Sequence, residues 1–250
     1  MAEFTMTIAG ATGRVRCLFD STPLYCAKYQ SDAPPDFCIT VQPEDLVFEQ
    51  AQLDREAAEE GFKRRQFTDP FLERQAIQRR FADYLLPRQV LLIHGSAIAA
   101  DGKGYLFLAR SGTGKSTHTR LWQQLLGHRA VMVNDDKPFL RFRDEDILLC
   151  GAPWSGKHGL DANISVPLAG ICLLERGLEN RIHPLPAADA LPMLEKQAWQ
   201  TPDPAGQALT KALILRLCRQ VPTWHLTCNK DLQAAQVAFA AMSQRENDRP

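Results

Sequence analysis

Hydrophobic residues recur along the chain either at every second position, which is typical of strands, or at every third or fourth position, which is typical of helices. The changes between these two periods mark the boundaries of the expected elements. Short apolar or alternating runs separated by prolines predict a small β-rich region at the start of the chain. Its strands are expected at 5–8, 15–19 and 37–41. From Phe71 apolar residues recur at helical spacing until Pro87 ends the predicted helix. We count this helix with the following domain, which divides the chain into an N-terminal region, 1–70, and a core, 71–250.

The core pattern predicts a strand, a glycine-rich loop, a helix and a second strand, in that order. The helix has one apolar face and is closed by Gly127, and the second strand ends in Asn134-Asp135-Asp136. This order is typical of a βαβ unit with acidic residues at the carboxyl end of its second strand. The first strand of this unit is expected at 105–109 and the second at 130–133. Two other strands, at 90–93 and 97–99, and a turn at 101–104 are expected before them. The apolar face of the helix consists of Leu121, Trp122, Leu125 and Leu126.

The rest of the chain predicts more short strands with helices between them. We therefore expect an α/β fold, with a mixed β-sheet core, flanking helices and the small β-rich N-terminal region. The further strands are expected at 139–142, 147–150, 166–174 and 224–228, and the further helices at 187–199, 209–219 and 232–242.

Composition and charge narrow the class of protein. The chain has 250 residues, enough for one large α/β domain or for a core with a smaller appendage. Its 29 basic and 29 acidic residues balance, which argues against nucleic-acid or membrane-surface binding. The seven cysteines include no C-x-x-C pair, which is typical of reduced thiols. With no signal-peptide pattern and no run of about 18 apolar residues, we expect a cytoplasmic protein.

The glycine-rich segment 109–116, ARSGTGKS, predicts a nucleoside-triphosphate phosphate-binding loop. Gly112 and Gly114 allow successive backbone N–H groups to face one concavity. Lys115 is expected to reach the outer phosphates and Ser116 to bind Mg²⁺, so ATP with Mg²⁺ is the expected ligand. Ala109 stands in place of the first glycine of the pattern and is small enough for the turn at negative φ. The nucleotide-binding residues we expect are Ser111, Gly112, Thr113, Gly114, Lys115, Ser116 and Thr117.

The carboxylates that follow the second strand are candidates for metal binding and proton transfer. Asp135 and Asp136 come at a point where a carboxylate can meet the Mg²⁺ of the loop, so that one can position the metal while the other accepts a proton from an attacking hydroxyl. A solvated turn or a helix cap is the structural alternative. Likewise, His94 before Gly95 is on pattern alone more often a satisfied buried or turn residue than a catalyst.

A second small-residue loop, 151–159, supplies candidate substrate contacts. Trp154 offers a stacking face, and Lys157 offers a point charge for a phosphate or a carboxylate. An ordinary surface turn explains the same residues. Glu175 and Arg176 end a later strand, where they can place a cation at the carboxyl edge of the sheet or form a surface ion pair.

Four segments together resemble bacterial proteins with an HPr-kinase-like or phosphoenolpyruvate-carboxykinase-type nucleotide-binding domain. These are ARSGTGKSTHTRLW, NDDKP, GAPWSGK and VPLAGICLLERG, and the resemblance covers roughly residues 90–240. It implies a mixed α/β core in which the phosphate loop follows a β-hairpin. It also implies functional roles for His94 and for the acidic pair, with Asp135 as the base toward a serine hydroxyl and Asp136 as the metal ligand. Relatives of this short type include kinases that act on serine in a peptide or as a free amino acid.

Two departures limit what the resemblance implies. The Glu-Ile-Arg-Gly signature of HPr kinase/phosphorylases is absent, and 151–163 occupies that region, so HPr is not the expected acceptor. The chain also lacks room for the large substrate domain of the carboxykinases. We therefore expect an Mg-ATP-dependent kinase that acts on a serine-type hydroxyl of a peptide, a protein or a small metabolite.

Two alternatives and several questions stay open at this stage. One alternative is a nucleotide-binding regulatory or partner-binding module without transfer activity, and the other is a small-molecule kinase that uses ADP or pyrophosphate as donor. The sequence does not identify the acceptor or the role of residues 1–70. HPr kinase relatives assemble as oligomers, so whether this chain forms a homo-oligomer is also open.

Overall fold

The computed structural model describes residues 2–59 and 61–244, which fall into two compact units, one up to Leu85 and one from Leu86. The first unit contains a three-stranded sheet in which β1 and β2 form an antiparallel hairpin and β3 pairs parallel to β2. Ala9 and Gly10 both have positive φ, as a tight hairpin turn requires. The elements of this unit are β1 (Ala2–Ile8), β2 (Ala11–Cys17), α1 (Ser21–Tyr25), β3 (Phe37–Thr40), α2 (Pro43–Glu59) and α3 (Asp69–Leu85).

The helices of the first unit differ from the sequence-based prediction in two ways. Helices α1 and α2 were not predicted, although Pro43 in the first turn of α2, followed by acidic residues, is a helix start signal. Helix α3, which the sequence analysis counted with the core, packs within the N-terminal unit. Its Arg80 donates to Asp45 at 2.6 Å and its Arg79 to Glu49 at 2.6 Å, both on α2. The long polar run of α2 hid this partner, so the pattern did not show where α3 packs.

The second unit is built on a mixed sheet of nine strands within the described residues. The strand order is β4-β8-β9-β10-β6-β5-β7, and β12 pairs with β10 and with β11. This sheet, its flanking helices and the separate N-terminal sheet confirm the predicted fold class. The short strand β11 was not predicted. The strands are β4 (Val90–Leu92), β5 (Ser96–Ala100), β6 (Lys103–Leu108), β7 (Ala130–Asn134), β8 (Phe139–Phe142), β9 (Ile147–Cys150), β10 (Ser165–Arg176), β11 (Arg181–Pro184) and β12 (Thr223–Cys228).

Two pairs of helices bury the faces of this sheet. Side chains alternate along β6, so that Phe107 packs with Trp122 in one apolar cluster while Leu106 and Leu108 belong to the other. In the described part of the chain, no helix combines the length and apolar character that a membrane crossing requires. The helices are α4 (Lys115–Leu126) and α7 (Leu232–Ser243) on the first cluster, and α5 (Ala187–Gln197) and α6 (Pro204–Gln220) on the second.

The strand order brings several chain segments to one edge of the sheet. Strand β5 lies between β6 and β7 and runs antiparallel to both, so β6 and β7 are parallel but not adjacent. On the other side of β6, both β10 and β12 run parallel to it. The carboxyl ends of these four parallel strands therefore meet the amino end of β5 at the same edge, as is usual for ligand sites in α/β proteins.

Candidate functional site

The glycine-rich loop joins β6 to α4 at this edge of the sheet. Gly112 has a φ of 75° and Gly114 a φ of 124°, values that favour glycine. No described atom lies within 4 Å of a Cβ built at either position, so the requirement is conformational rather than steric. Ala109 is fully buried in the sheet–helix cluster, and its φ is not positive. Alanine therefore serves at this position because its methyl group packs into the core.

Two cations hold the shape of the loop. Lys115 is buried, and its Nζ donates to the Ala109 carbonyl at 3.1 Å, which closes the loop across its base. Arg176, at the end of β10, donates from Nε to the Thr113 carbonyl at 3.0 Å and from Nη2 to the Gly112 carbonyl. Arg176 thus has a specific role that the sequence analysis left undecided: it fastens the loop to a neighbouring strand.

The remaining predicted nucleotide-binding residues lie along the same loop and the first turn of α4. Ser111 is exposed, and Thr113, Ser116 and Thr117 are partly exposed. The amino end of α4 is the positive end of the helix dipole, which favours an anion. The loop, its lysine and this helix end therefore converge on one place suited to a phosphate chain.

Asp135 is tied to the loop helix by a chain of buried hydrogen bonds. Only 7% of Asp135 is exposed, and Ser96 Oγ donates to its Oδ1 at 2.6 Å. Ser96 Oγ lies 2.9 Å from Thr119 Oγ1, and that hydroxyl lies 3.3 Å from the Ser116 carbonyl oxygen. Sequence reasoning missed Ser96 and Thr119. A signal was present, since both are polar residues on faces that otherwise read as apolar.

Asp136 faces a different environment from Asp135. Its Oδ1 lies 3.3 Å from His94 Nε2, and the Asp136 side chain is 34% exposed. Burial opposes ionisation of Asp136, but the hydrogen bond to His94 and the positive charges of Lys137 and Lys115 outweigh it and lower the pKa of the carboxyl. Burial also lowers the pKa of His94, and this effect outweighs the hydrogen bond to Asp136, which raises it. At neutral pH the pair is therefore a charged carboxylate that accepts a hydrogen bond from a neutral imidazole.

Asn134 positions the segments around Asp136, a role that the sequence analysis did not assign to it. Its side chain is fully buried, and Nδ2 donates to the Ala152 carbonyl at 2.7 Å. Its Oδ1 accepts from the backbone N–H groups of Asp136 at 2.8 Å and Lys137 at 2.6 Å. One amide therefore joins the turn that carries Asp136 to the 151–159 loop.

The two predicted substrate residues of the 151–159 loop have different positions. Trp154 is only 3% exposed and packs edge to face on Phe139, so its ring does not offer the stacking face that we expected. Lys157 is exposed in the short 3₁₀ turn Gly156–His158. A Cβ at Gly156 would lie 3.3 Å from Asp136 Cβ, so the turn that carries Lys157 packs directly on Asp136. A role for Lys157 in substrate binding therefore stays a prediction.

Gly151 allows the closest approach of this loop to its neighbour. A Cβ at Gly151 would lie 1.9 Å from the Ala162 carbonyl oxygen, so the backbone must move in Gly151→Ala. We expect this variant to lower the free energy of unfolding by about 3 kcal/mol, as over-packing against fixed backbone does. Chemical denaturation measures the loss.

Gly102→Ala is the control for this prediction. Its site is open, and its φ of 79° costs only about 1 kcal/mol in the substituted protein. Equal losses in the two variants would contradict the steric role of Gly151.

The donor set at this edge suits an Mg²⁺ ion that arrives with a nucleotide. Within the described residues, no group of three or more His, Cys, Asp or Glu side chains could hold a metal by itself. Mg²⁺ in phosphoryl-transfer sites is held by one or two carboxylates together with substrate phosphates. The Ser116 hydroxyl and a carboxylate of the acidic pair are donors of this kind.

Comparison with known proteins shows only distant likeness. No protein-family model matches the chain, and no curated protein matches it. Among solved structures, the chain is similar to the HPr(Ser) kinase/phosphatase from Coxiella burnetii, with 10% sequence identity and a TM-score of 0.39. The match covers 62% of this chain and 99% of that one. A likeness at this level assigns no activity, so the function has to be inferred from the site itself.

Proposed function

We propose that the protein is an Mg-ATP-dependent phosphotransferase that acts on a serine-type hydroxyl of a peptide, a protein or a small metabolite. One observation carries this proposal. The phosphate loop and the acidic pair lie at the same edge of the sheet, and the hydrogen-bonded path from Asp135 through Ser96 to Thr119 fixes a carboxylate relative to the loop helix. Phosphoryl transfer needs this combination, because its catalysis consists largely of positioning and charge stabilisation.

The loop residues act on the donor. Lys115 and the loop N–H groups stabilise the charge that develops on the transferred phosphoryl group. Ser116 and Asp136 would hold Mg²⁺, which would neutralise phosphate charge. The lowered pKa of Asp136 supports this role, since a carboxyl that stays ionised is a good ligand and a weak base. The neutral His94 keeps the Asp136 carboxylate in place through its hydrogen bond.

Asp135 acts on the acceptor. Ser96 binds its Oδ1, which leaves Oδ2 to take the proton from the acceptor hydroxyl. The acceptor oxygen then forms a bond to the γ-phosphorus, the bond between that phosphorus and the β–γ bridging oxygen breaks, and ADP leaves. The proton on Asp135 passes to solvent when the product departs.

A transfer assay on the unchanged protein tests the proposed function. The protein is incubated with Mg²⁺ and ATP labelled at the γ-phosphate, together with serine-containing peptides, matched peptides with alanine in place of serine, and free L-serine. We expect label on a serine hydroxyl and none on the alanine peptides. ATP that binds but is neither hydrolysed nor transferred would instead indicate a nucleotide-binding module without transfer activity.

A further inference from the structure

A cavity of about 430 Å³ opens beside the phosphate loop. It is bounded by the loop glycines, the first two turns of α4, and the ends of β10 and β12. Its volume lies within the usual range of small-molecule sites, about 300–1,000 Å³. Among its lining residues, only Arg176 and the loop residues Gly112, Thr113, Gly114 and Thr117 have a role proposed above.

The cavity and the acidic pair lie on opposite sides of the loop. In the strand order, β5 and β7 with Asp135 and Asp136 are on one side of β6, whereas β10 and β12 are on the other. Thr117, which directly follows the predicted metal ligand Ser116, lines the cavity. A phosphate chain that lies along the loop with its transferred end near the carboxylates therefore has its other end at the cavity.

The walls of the cavity combine apolar and polar groups. Leu121 from α4 and Leu174 from β10 supply aliphatic surface. Glu175, with one oxygen paired to His225, and Asn229, held by Leu178 and Asp231, supply polar surface. A nucleoside presents a flat, weakly polar ring with hydrogen-bonding edges and a hydroxylated sugar. The aliphatic part of the wall suits the ring of the base, and the polar part suits the hydroxylated sugar and the polar edges of the ring.

His118 is one of the residues that line the cavity, and it carries a buried donor. Only 2% of His118 is exposed, and its Nε2 accepts a hydrogen bond from Trp122 Nε1 at 3.2 Å. Burial lowers the pKa of His118 to about 4, so the ring is neutral at physiological pH and its proton is on Nδ1. Nδ1 is buried and has no hydrogen-bond partner among the described residues. A buried N–H group without a partner is costly, and His118, the residue that carries it, lines the cavity, which points to a ligand as the partner.

We infer that the cavity holds the ribose and base of the phosphoryl donor, and that His118 Nδ1–H donates a hydrogen bond to the nucleoside. The donor is then a nucleoside triphosphate rather than pyrophosphate or another simple polyphosphate. This inference rests on the proposed function, because it assigns the nucleoside half of a donor whose phosphates lie on the loop.

Isothermal titration with Mg-ATP and with Mg-tripolyphosphate tests the inference. We expect the unchanged protein to bind ATP about 50-fold more tightly, which corresponds to roughly 100 Å² of apolar nucleoside surface buried in the cavity. Leu121→Trp fills the cavity, so this variant should lose most of the preference for ATP and keep its affinity for tripolyphosphate. Leu24→Trp is the control: Leu24 is 77% exposed in the other unit, and both affinities should stay the same.

Two variants of His118 test the proposed hydrogen bond. His118→Phe removes the donor and should weaken ATP binding about fivefold without changing tripolyphosphate binding. His118→Asn can place an amide N–H near the position of Nδ1 and should recover most of the affinity. Equal loss in both variants would contradict the hydrogen bond.

The outcomes separate this inference from the proposed function. If the unchanged protein binds ATP and tripolyphosphate equally well, the cavity is not a nucleoside site, although the phosphate loop stands. If it binds neither ligand, the proposed function fails and the inference falls with it. The comparison of ligands on the unchanged protein decides the matter even if Leu121→Trp does not fold.

Discussion

Lys115→Ala is expected to lower the rate of phosphoryl transfer about a thousandfold, because removal of a cation or donor aimed at the transferred group has effects of this size. Lys115 is buried at the base of the loop, and its Nζ lies 3.1 Å from the Ala109 carbonyl oxygen. The substitution therefore removes both the positive charge at the site and the link that closes the loop. The rate is measured at saturating ATP with the acceptor found in the transfer assay.

Lys211→Ala is the matched control for Lys115→Ala. Lys211 is exposed on α6, which packs with the other apolar cluster, and its loss should change the rate less than twofold. The folded fraction of both variants is compared by circular dichroism. A well-folded Lys115→Ala protein with an unchanged transfer rate would rule out the proposed role of the loop.

Asp135→Asn is also expected to lower the transfer rate about a thousandfold, within the range of general-base effects. The amide keeps the shape of the side chain and can still accept the hydrogen bond from Ser96 through its oxygen. It cannot take a proton. We therefore expect kcat to fall while the dissociation constant for Mg-ATP changes by less than about fivefold, since the removed interaction belongs mainly to the transition state.

Two further aspartate variants make this result specific. Asp144→Asn changes an exposed carboxylate and should leave kcat unaltered. Asp136→Asn removes the proposed metal ligand and should raise the Mg²⁺ concentration needed for half-maximal rate. The reverse pattern, in which Asp135→Asn alters the Mg²⁺ requirement and Asp136→Asn alters only kcat, would exchange the roles of the two carboxylates.

Much of the core fold was predictable because its hydrophobic periods are clear. Strands β8 and β9 have the predicted bounds, and the hairpin turn before the loop has the positive φ values at Asp101 and Gly102 that its residues favour. Helix α2 was missed because polar residues obscure its period. The insertion of β5 between β6 and β7 depends on long-range pairing, which local patterns do not show.

The candidate site was predictable where its chemistry follows a short motif. The loop, its lysine and the acidic pair were all identified from adjacent letters in the sequence. The contacts of Ser96, Thr119 and Asn134 could not be predicted from a motif. The side-chain to side-chain contacts of Ser96 and Thr119, and the contact of Asn134 with Ala152, join residues at least 18 positions apart. Asn134 also accepts from the backbone N–H of Asp136, and a backbone group carries no sequence signal. Trp154 shows the opposite error: a ring that suits stacking is buried against Phe139 instead.

The hydrogen-bonded path from Asp135 through Ser96 to Thr119 also depends on the completed sheet. Its three side chains come from β5, α4 and the segment after β7, and they meet only when the central sheet has formed. A partly folded chain lacks both the placed carboxylate and the fixed loop, because Arg176 at the end of β10 donates to the Thr113 and Gly112 carbonyls from more than 60 positions away. Under the proposed function, nucleotide binding and transfer are therefore expected to appear together, once the central sheet is complete.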